Sequence, residues 1–89
     1  MPFTDIAIGR CIVDLLEGRS PSSSICPSDV ARGLCDDEAV WRGLMPRVRE
    51  VARRMAADGI IRVTQGDNEV TIDPQLRGPI RLKRGDRFP

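Results

Sequence analysis

The stretch WRGLMPRVREVARRMAADGIIRVTQGDNEVTI, residues 41–72, joins an amphipathic segment to a short alternating one. The apolar positions of its first half recur at the spacing of one helical face; they are Leu44, Met45, Val48, Val51, Ala52 and Met55. Gly59 is the expected end of this helix, because glycine readily adopts the left-handed conformation that closes one. Residues 60–65 then predict a strand, residues 66–68 a tight turn and residues 69–72 the returning strand.

Pro46 leaves two interpretations of where this helix begins. An interior proline deletes one backbone hydrogen bond and costs about 3 kcal/mol. The favoured interpretation is a helical turn over residues 38–43 followed by a fresh helix near Leu44. The alternative is one helix over residues 38–58 with a kink at Pro46.

The residues before Trp41 predict two further helices. Thr4 is the expected cap of the first, which ends at Gly18, and its apolar stripe consists of Ile8, Cys11, Ile12, Leu15 and Leu16. A loop over residues 18–24 leads to a very short strand at residues 25–26. Pro27 then opens the second helix, since proline at a first helical position loses no useful donor.

Residues 77–84 alternate apolar and basic side chains and predict a third strand of the sheet after the break at Pro74. The resulting order is typical of an α+β fold, a three-helix winged helix-turn-helix with a small antiparallel sheet that forms the wing. With 40% apolar residues, the 89-residue chain is expected to be one winged-helix domain over residues 1–89. Residues 85–89 are expected to form a flexible tail.

Composition also limits where the protein is expected to be located and which reactions it could catalyse. No run of 18 apolar residues and no leader pattern occurs, so we expect a cytoplasmic protein without membrane association. Three widely spaced cysteines indicate reduced thiols. The chain contains no histidine and no tyrosine, and no phosphate-binding loop or metal-ligand spacing, so we expect neither catalysis nor a cofactor. Asp36, Asp37 and Glu38 have the chemistry to hold a cation, but they favour a helix cap.

Charge is distributed unevenly along the chain. Residues 1–40 carry seven acids and three arginines, a net charge of −4, whereas residues 41–89 carry eleven bases and six acids, a net charge of +5. This asymmetry indicates either a half that faces a polyanion or a head-to-tail self-association.

The third helix and the C-terminal segment supply the candidate nucleic-acid contacts. Guanidinium groups pair with phosphates and with guanine edges in a bidentate manner. The predicted contact set is Arg42, Arg47, Arg49, Arg53, Arg81, Lys83 and Arg84. The alternative for the helix is a solvated face whose arginines pair with Glu50 or the acidic cluster. The alternative for the C-terminal segment is a strand edge that its charges protect from aggregation.

Two acidic residues of the wing and one tryptophan have separate expected roles. Asp67 and Glu69 at the tip of the wing would repel phosphate, so the helix and the C-terminal segment would have to provide the binding. Trp41 is expected to anchor the core between the second and third helices, with an exposed interface anchor as the alternative.

Two cysteines have different expected roles. Cys26, at the start of the second helix, is a possible redox thiol, since a helix N-terminus raises thiol reactivity. The more common role for such a residue is to fill a small apolar space. Cys11 lies in the apolar stripe of the first helix and is expected in the core.

A set of short motifs resembles a family of small bacterial proteins that is catalogued as a domain of unknown function and is winged-helix-like. The motifs are ICPSDVAR at residues 25–32, Trp41, LMP at 44–46, VR at 48–49, Ala52, GI at 59–60, VTQ at 63–65 and GPIRL at 78–82. The resemblance implies the fold and no activity. It also draws attention to polar motif positions that form either a structural network or a ligand surface: Asp29, Arg32, Trp41, Arg49, Thr64, Gln65 and Arg81.

The leading hypothesis is a non-enzymatic winged-helix module that contacts double-stranded DNA through the third helix and the basic C-terminal segment. The alternative is a module that uses the same fold to bind a protein partner or to form a homodimer, without nucleic acid. A third hypothesis is a thiol sensor based on Cys26.

Overall fold

A computed structural model describes residues 3–89. Over that range the chain forms three helices and one four-stranded antiparallel sheet. The elements are α1 (Asp5–Glu17), β1 (Ser24–Ile25), α2 (Pro27–Leu34), α3 (Glu38–Ala57), β2 (Ile61–Gln65), β3 (Asn68–Glu69) and β4 (Arg81–Arg84). The fold is α+β, as predicted, and its order of elements is consistent with a three-helix winged-helix layout.

Helix α1 begins and ends where its sequence signals predict. The Thr4 hydroxyl accepts a hydrogen bond from the amide of Ala7 at 3.1 Å, and Gly18 is the C-terminal cap. Its predicted stripe faces the interior, and Ile8, Ile12 and Leu16 are fully buried. Burial of these side chains, rather than intrinsic propensity, supplies most of the stability of a helix this short.

Helix α2 opens at Pro27, and the carboxylate of Asp29 binds the amide that precedes it. The amide of Cys26 donates to Asp29 Oδ2 at 3.0 Å, which satisfies one of the free donors before the helix. Burial opposes ionisation of Asp29, but the hydrogen bonds from Cys26 outweigh it and hold the pKa of Asp29 below its ordinary value. The carboxylate is therefore a structural part of the turn into α2.

Helix α3 runs through Pro46 without interruption, so the prediction of a fresh helix near Leu44 was wrong. Asp37 caps it by accepting from the amide of Val40 at 3.2 Å. Trp41, Leu44 and Val48 are all buried, on one continuous face that an uninterrupted helix alone provides. Burying the indole and Leu44 contributes several kcal/mol by area. This offsets the roughly 3 kcal/mol that an interior proline costs.

The predicted stop at Gly59 is confirmed. Gly59 has a φ of 79°, and the amides of Gly59 and Ile60 donate back to the carbonyls of Ala56 and Met55 at 3.0 Å each. These are the two bonds of a Schellman closure, which requires a left-handed residue at this position. The closure turns the chain directly into β2.

The sheet has the order β1-β4-β2-β3. The predicted returning strand over residues 69–72 was too long, because the strand that pairs with β2 across the turn is Asn68–Glu69. The amide of Val70 still donates to the carbonyl of Val63, at 2.9 Å. Ile72 leaves the sheet and is buried against the core. The long partner of β2 is β4, with Ile61 opposite Arg84 and Thr64 opposite Arg81. We call residues 66–80, which connect β2 to β4, the wing.

Strand β4 lies inside the sheet, between β1 and β2. The interpretation of this segment as a charged sheet edge was therefore wrong. After β4, the amide of Gly85 donates to the carbonyl of Ile60, and that of Arg87 to the carbonyl of Gly59, both at 2.9 Å. The flexibility expected of residues 85–89 stays a prediction. Within residues 3–89, no helix is both long and apolar enough to cross a membrane.

Candidate functional site

Arginines of α3 pair with three carboxylates, those of Asp5, Glu38 and Glu50. On one side, Arg47 Nη2 and Arg54 Nη1 donate to the two carboxylate oxygens of Asp5, at 3.0 and 3.1 Å. The hydrogen bond from Arg47 lowers the pKa of Asp5. Because Asp5 is the first residue of α1, this ion-paired group joins α3 to the start of α1, and Arg47 points away from the wing.

At the N-terminal end of α3, two arginines stack on Trp41. The guanidinium carbons of Arg32 and Arg42 lie 4.7 and 4.9 Å from the centre of the indole ring. Arg42 also donates to Glu38 at 2.7 Å. Trp41 itself is 9% exposed, so its predicted role as a core anchor is confirmed. The indole holds two cations at the surface where α2 meets α3.

Further along α3, Glu50 neutralises the neighbouring cations. Arg53 binds it in a bidentate manner at 2.9 and 2.7 Å, and Arg54 Nε donates to it at 3.2 Å. The hydrogen bond from Arg53 leads the contributions that lower the pKa of Glu50 from 4.5 to about 2. Glu50 thus stays ionised at neutral pH and reduces the positive potential of this face.

A groove of about 470 Å³ separates α3 from the wing. We call it the α3–wing groove. Its lining residues are Met45, Pro46, Arg49, Glu50, Arg53, Ile72, Asp73, Pro74, Leu76 and Arg77. Three of them are arginines and two are carboxylates, over an apolar floor.

Arg49 is the cation of this groove that is not committed elsewhere. It is half-buried and makes no ion pair with any residue that the structure describes. On the wing side, Arg77 Nη1 donates to the carbonyl of Pro74 at 3.1 Å, while Asp73 accepts from the amide of Gln75 at 2.7 Å. The groove can therefore present guanidinium groups to an anion from both walls.

The C-terminal cations lie elsewhere and make internal contacts. Arg81 donates to the hydroxyl and the carbonyl of Ser24, both at 2.9 Å. Arg84 donates to the carbonyls of Leu16 and Arg19, at 2.9 and 3.0 Å. Lys83 lies between Ser24 and Arg62 in the register of the sheet. The predicted contact set is thus not gathered on one surface: Arg49 and Arg53 line the α3–wing groove, and Arg81, Lys83 and Arg84 belong to β4.

The polar motif positions mostly form structural contacts. Asp29 caps α2, Gln65 Nε2 donates to the carbonyls of Arg77 and Pro79, and Arg81 binds Ser24. Arg49 makes no such hydrogen bond within residues 3–89. Among the charged motif residues, it is therefore the one that no hydrogen bond, ion pair or ring contact explains, since Arg32 lies against Trp41. The hydroxyl of Thr64 likewise makes no hydrogen bond within that range.

Two cysteines and the acidic cluster make local contacts, and the redox role expected of Cys26 stays a prediction. Cys26 Sγ lies 3.0 Å from the hydroxyl of Ser28. Cys11 packs against the core, as predicted, and burial raises the pKa of its thiol. Asp37 and Glu38 form the cap and first turn of α3, which confirms the cap interpretation. In the described part of the chain, no three acidic or cysteine side chains gather into a group that would suit a metal ion.

Sequence reasoning missed two residues of functional interest. The sequence predicts Arg77 in a strand, but the strand begins only at Arg81. The following Gly78, whose φ is 91°, is the residue that signals a turn. Ile6 is 78% exposed on α1. The sequence does indicate this exposure, because Ile6 lies outside the apolar stripe of α1 that begins at Ile8.

Comparison with known protein families identifies a matching family. A family described as a protein of unknown function, DUF3253, matches residues 5–85. No curated protein matches the chain. The family match agrees with the resemblance to a domain of unknown function that the short motifs indicate.

Proposed function

The chain belongs to the DUF3253 family of proteins of unknown function, and we propose that it is a winged-helix module that binds double-stranded DNA through the α3–wing groove. The observation that carries the proposal is the position of Arg49, an arginine without an ion-pair partner among residues 3–89, in a groove that Arg53 and Arg77 also line. Guanidinium groups on two walls can contact successive phosphates of one backbone.

The proposed contact set differs from the one that the sequence predicts. It keeps Arg49 and Arg53 and adds Arg77, which all line the groove. It also keeps Arg42, which lies two helical turns before Arg49 on the same side of α3. It leaves out the β4 cations, since Arg81 and Arg84 already donate to main-chain carbonyls. It also leaves out Arg47, whose guanidinium binds Asp5 on the opposite side of α3.

Binding through so few contacts is weak and depends strongly on salt. Each neutralised phosphate contributes about −0.9 to the slope of log affinity against log salt concentration. Four arginine contacts therefore give a slope of about −3 to −4. The exposed Asp67 and Glu69 at the wing tip oppose deep entry of the wing into a groove of the duplex. We expect micromolar affinity and little sequence preference.

Fluorescence anisotropy of a labelled duplex, titrated with protein at several salt concentrations, tests the proposal. Arg49→Gln and Arg77→Gln are each expected to weaken binding about three- to tenfold at low salt and to make the salt slope shallower by about one. Arg47→Gln is the matched control, because it removes the same charge from the same helix on the side that faces α1. No binding at micromolar protein and low salt, or an equal loss for Arg47→Gln, would overturn the proposal.

Glu50→Gln provides a test in the opposite direction. The substitution removes a carboxylate from the groove and releases Arg53 from its bidentate pair. An exposed ion pair is worth up to about 1 kcal/mol, so duplex affinity is expected to rise about two- to fivefold. Affinity that stays unchanged would place the nucleic acid away from this groove. The proposal assigns no catalytic step to the chain, which contains no histidine and no tyrosine.

A further inference from the structure

An open groove of about 710 Å³ separates α1 from the C-terminal half of α3. We call it the α1–α3 groove. Its apolar surface comes from Ile6, Val13, Val51, Met55 and Ile60. Gly9 forms part of its floor, because a β-carbon at that position would reach ordinary contact with Met55 and Val51 at 3.7 and 3.8 Å.

Ile6 is the most exposed large apolar residue of the described chain, at 78%. A single exposed isoleucine needs no explanation. Here, however, it stands at the rim of an apolar groove, and such contiguous surface is typical of an interaction site. The charges around the groove indicate what kind of partner could cover it.

The rim carries charges of both signs at helical spacing. Arg10 and Asp14 lie one turn apart on α1 and both line the groove. Neither makes an ion pair with another described residue, in contrast to Asp5 and Arg54 nearby. A partner that satisfies them must offer an acid opposite Arg10 and a base opposite Asp14 at the same spacing.

A second copy of this chain has that arrangement. When two α1 helices pack antiparallel about a two-fold axis, Arg10 of each copy faces Asp14 of the other. The symmetry therefore produces two Arg10–Asp14 pairs in the interface. The same packing places Ile6 of each copy beyond Val13 of the other, opposite Gly18. We propose that the α1–α3 groove is the surface of a two-fold symmetric homodimer, closed by this reciprocal Arg10–Asp14 pairing.

The homodimer surface is separate from the proposed DNA surface. The α1–α3 groove and the α3–wing groove lie on opposite sides of α3 and have no lining residue in common. Self-association through the α1–α3 groove would therefore leave the α3–wing groove of each copy open. Either proposal can fail without the other.

Sedimentation velocity over a range of protein concentrations tests the homodimer. The full chain is expected to show a monomer–dimer equilibrium. Ile6→Asp should raise the dissociation constant at least about tenfold, because it removes an isoleucine that the dimer would bury and places a carboxylate at the apolar interface. Val40→Asp is the matched control, since Val40 is also exposed, at 39%, but lies at the other end of α3. Circular dichroism checks that both variants fold.

Charge reversal tests the pairing itself. Arg10→Asp and Asp14→Arg alone should each weaken the dimer about three- to tenfold, because like charges then face each other across the axis. The double variant Arg10→Asp/Asp14→Arg restores opposite pairs and should recover the wild-type dissociation constant. A wild-type chain that stays monomeric at hundreds of micromolar would overturn the proposal. So would an assembly larger than a dimer, an equal loss in Val40→Asp, or a double variant no better than the single ones.

Discussion

Arg84 Nη2 donates to the main-chain carbonyl of Leu16 at 2.9 Å and so joins the central strand β4 to the last turn of α1. The same nitrogen lies 3.0 Å from the carbonyl of Arg19, just beyond the helix. Carbonyls at the end of a helix lack partners within it and carry partial negative charge, which a cation satisfies well. The guanidinium also stacks on Phe88, 4.8 Å from the ring centre. Arg84 is therefore part of the folded framework.

Arg84→Met should lower the free energy of unfolding by about 1–3 kcal/mol. The substitution keeps an unbranched side chain but removes both hydrogen bonds, and bonds made by charged donors are the stronger ones. Urea unfolding followed by circular dichroism measures the change. Lys83→Met is the control, since it removes the same charge from the neighbouring position of β4 and should cost no more than about 0.5 kcal/mol. Equal losses in the two variants would contradict the role given to Arg84.

The contrast between α1 and β4 indicates what sequence can predict here. Thr4 acts through its hydroxyl on the adjacent turn, and Gly18 and Gly59 act through their own backbone. The helix ends that they define were therefore predicted correctly. The contact of Arg84 joins residues far apart in the chain, and main-chain carbonyls have no sequence signature. The alternation of β4 therefore predicted a strand but presented Arg84 as a surface cation.

Pro46 and Arg49 illustrate the same limit. The local cost of Pro46 favoured a helix break, whereas burial of Trp41 and Leu44 against the rest of the core keeps α3 continuous. Helical periodicity placed Arg49 on the polar side of α3, as observed. It gave no indication that the wing returns Arg77 to the same groove, because that depends on how residues 66–80 fold back.

Two glycine substitutions should change stability in opposite directions. Gly43 lies in α3, and a β-carbon there would meet no atom within 4 Å. Gly43→Ala should therefore raise the free energy of unfolding by about 0.5–1 kcal/mol, through lower entropy of the unfolded chain and better helix propensity.

At Gly85, a β-carbon would clash with the carbonyl oxygen of Gly59 and lie 2.9 Å from the main chain of Ile60. Because backbone cannot move aside cheaply, Gly85→Ala should lower the free energy of unfolding by about 1–3 kcal/mol. Urea midpoints of the two variants, measured side by side, provide the check. A stabilising Gly85→Ala would show that residue 85 does not pack against the end of α3.

The Glu50 ion pairs should make stability depend on pH below about 4.5. Folding lowers the pKa of Glu50 from 4.5 to about 2, led by the hydrogen bond from Arg53. The unfolded chain therefore binds a proton more readily in that range, and unfolding becomes easier as the pH falls. The contribution of Glu50 is complete above pH 4.5 and is lost as the pH falls through 2.

Glu50→Gln should remove this part of the acid sensitivity, so that the urea midpoints of variant and wild type converge between pH 4.5 and 2. Some dependence will remain, because the hydrogen bond from Arg47 also lowers the pKa of Asp5. Glu69→Gln is the control, since Glu69 is exposed at the wing and has no ion pair within residues 3–89. A carboxyl carbon of Glu50 that titrates near 4.5 by NMR would mean that Arg53 is not held by Glu50. Arg53 would then be available to the α3–wing groove without the Glu50→Gln substitution, and the expected rise in duplex affinity for that variant would shrink accordingly.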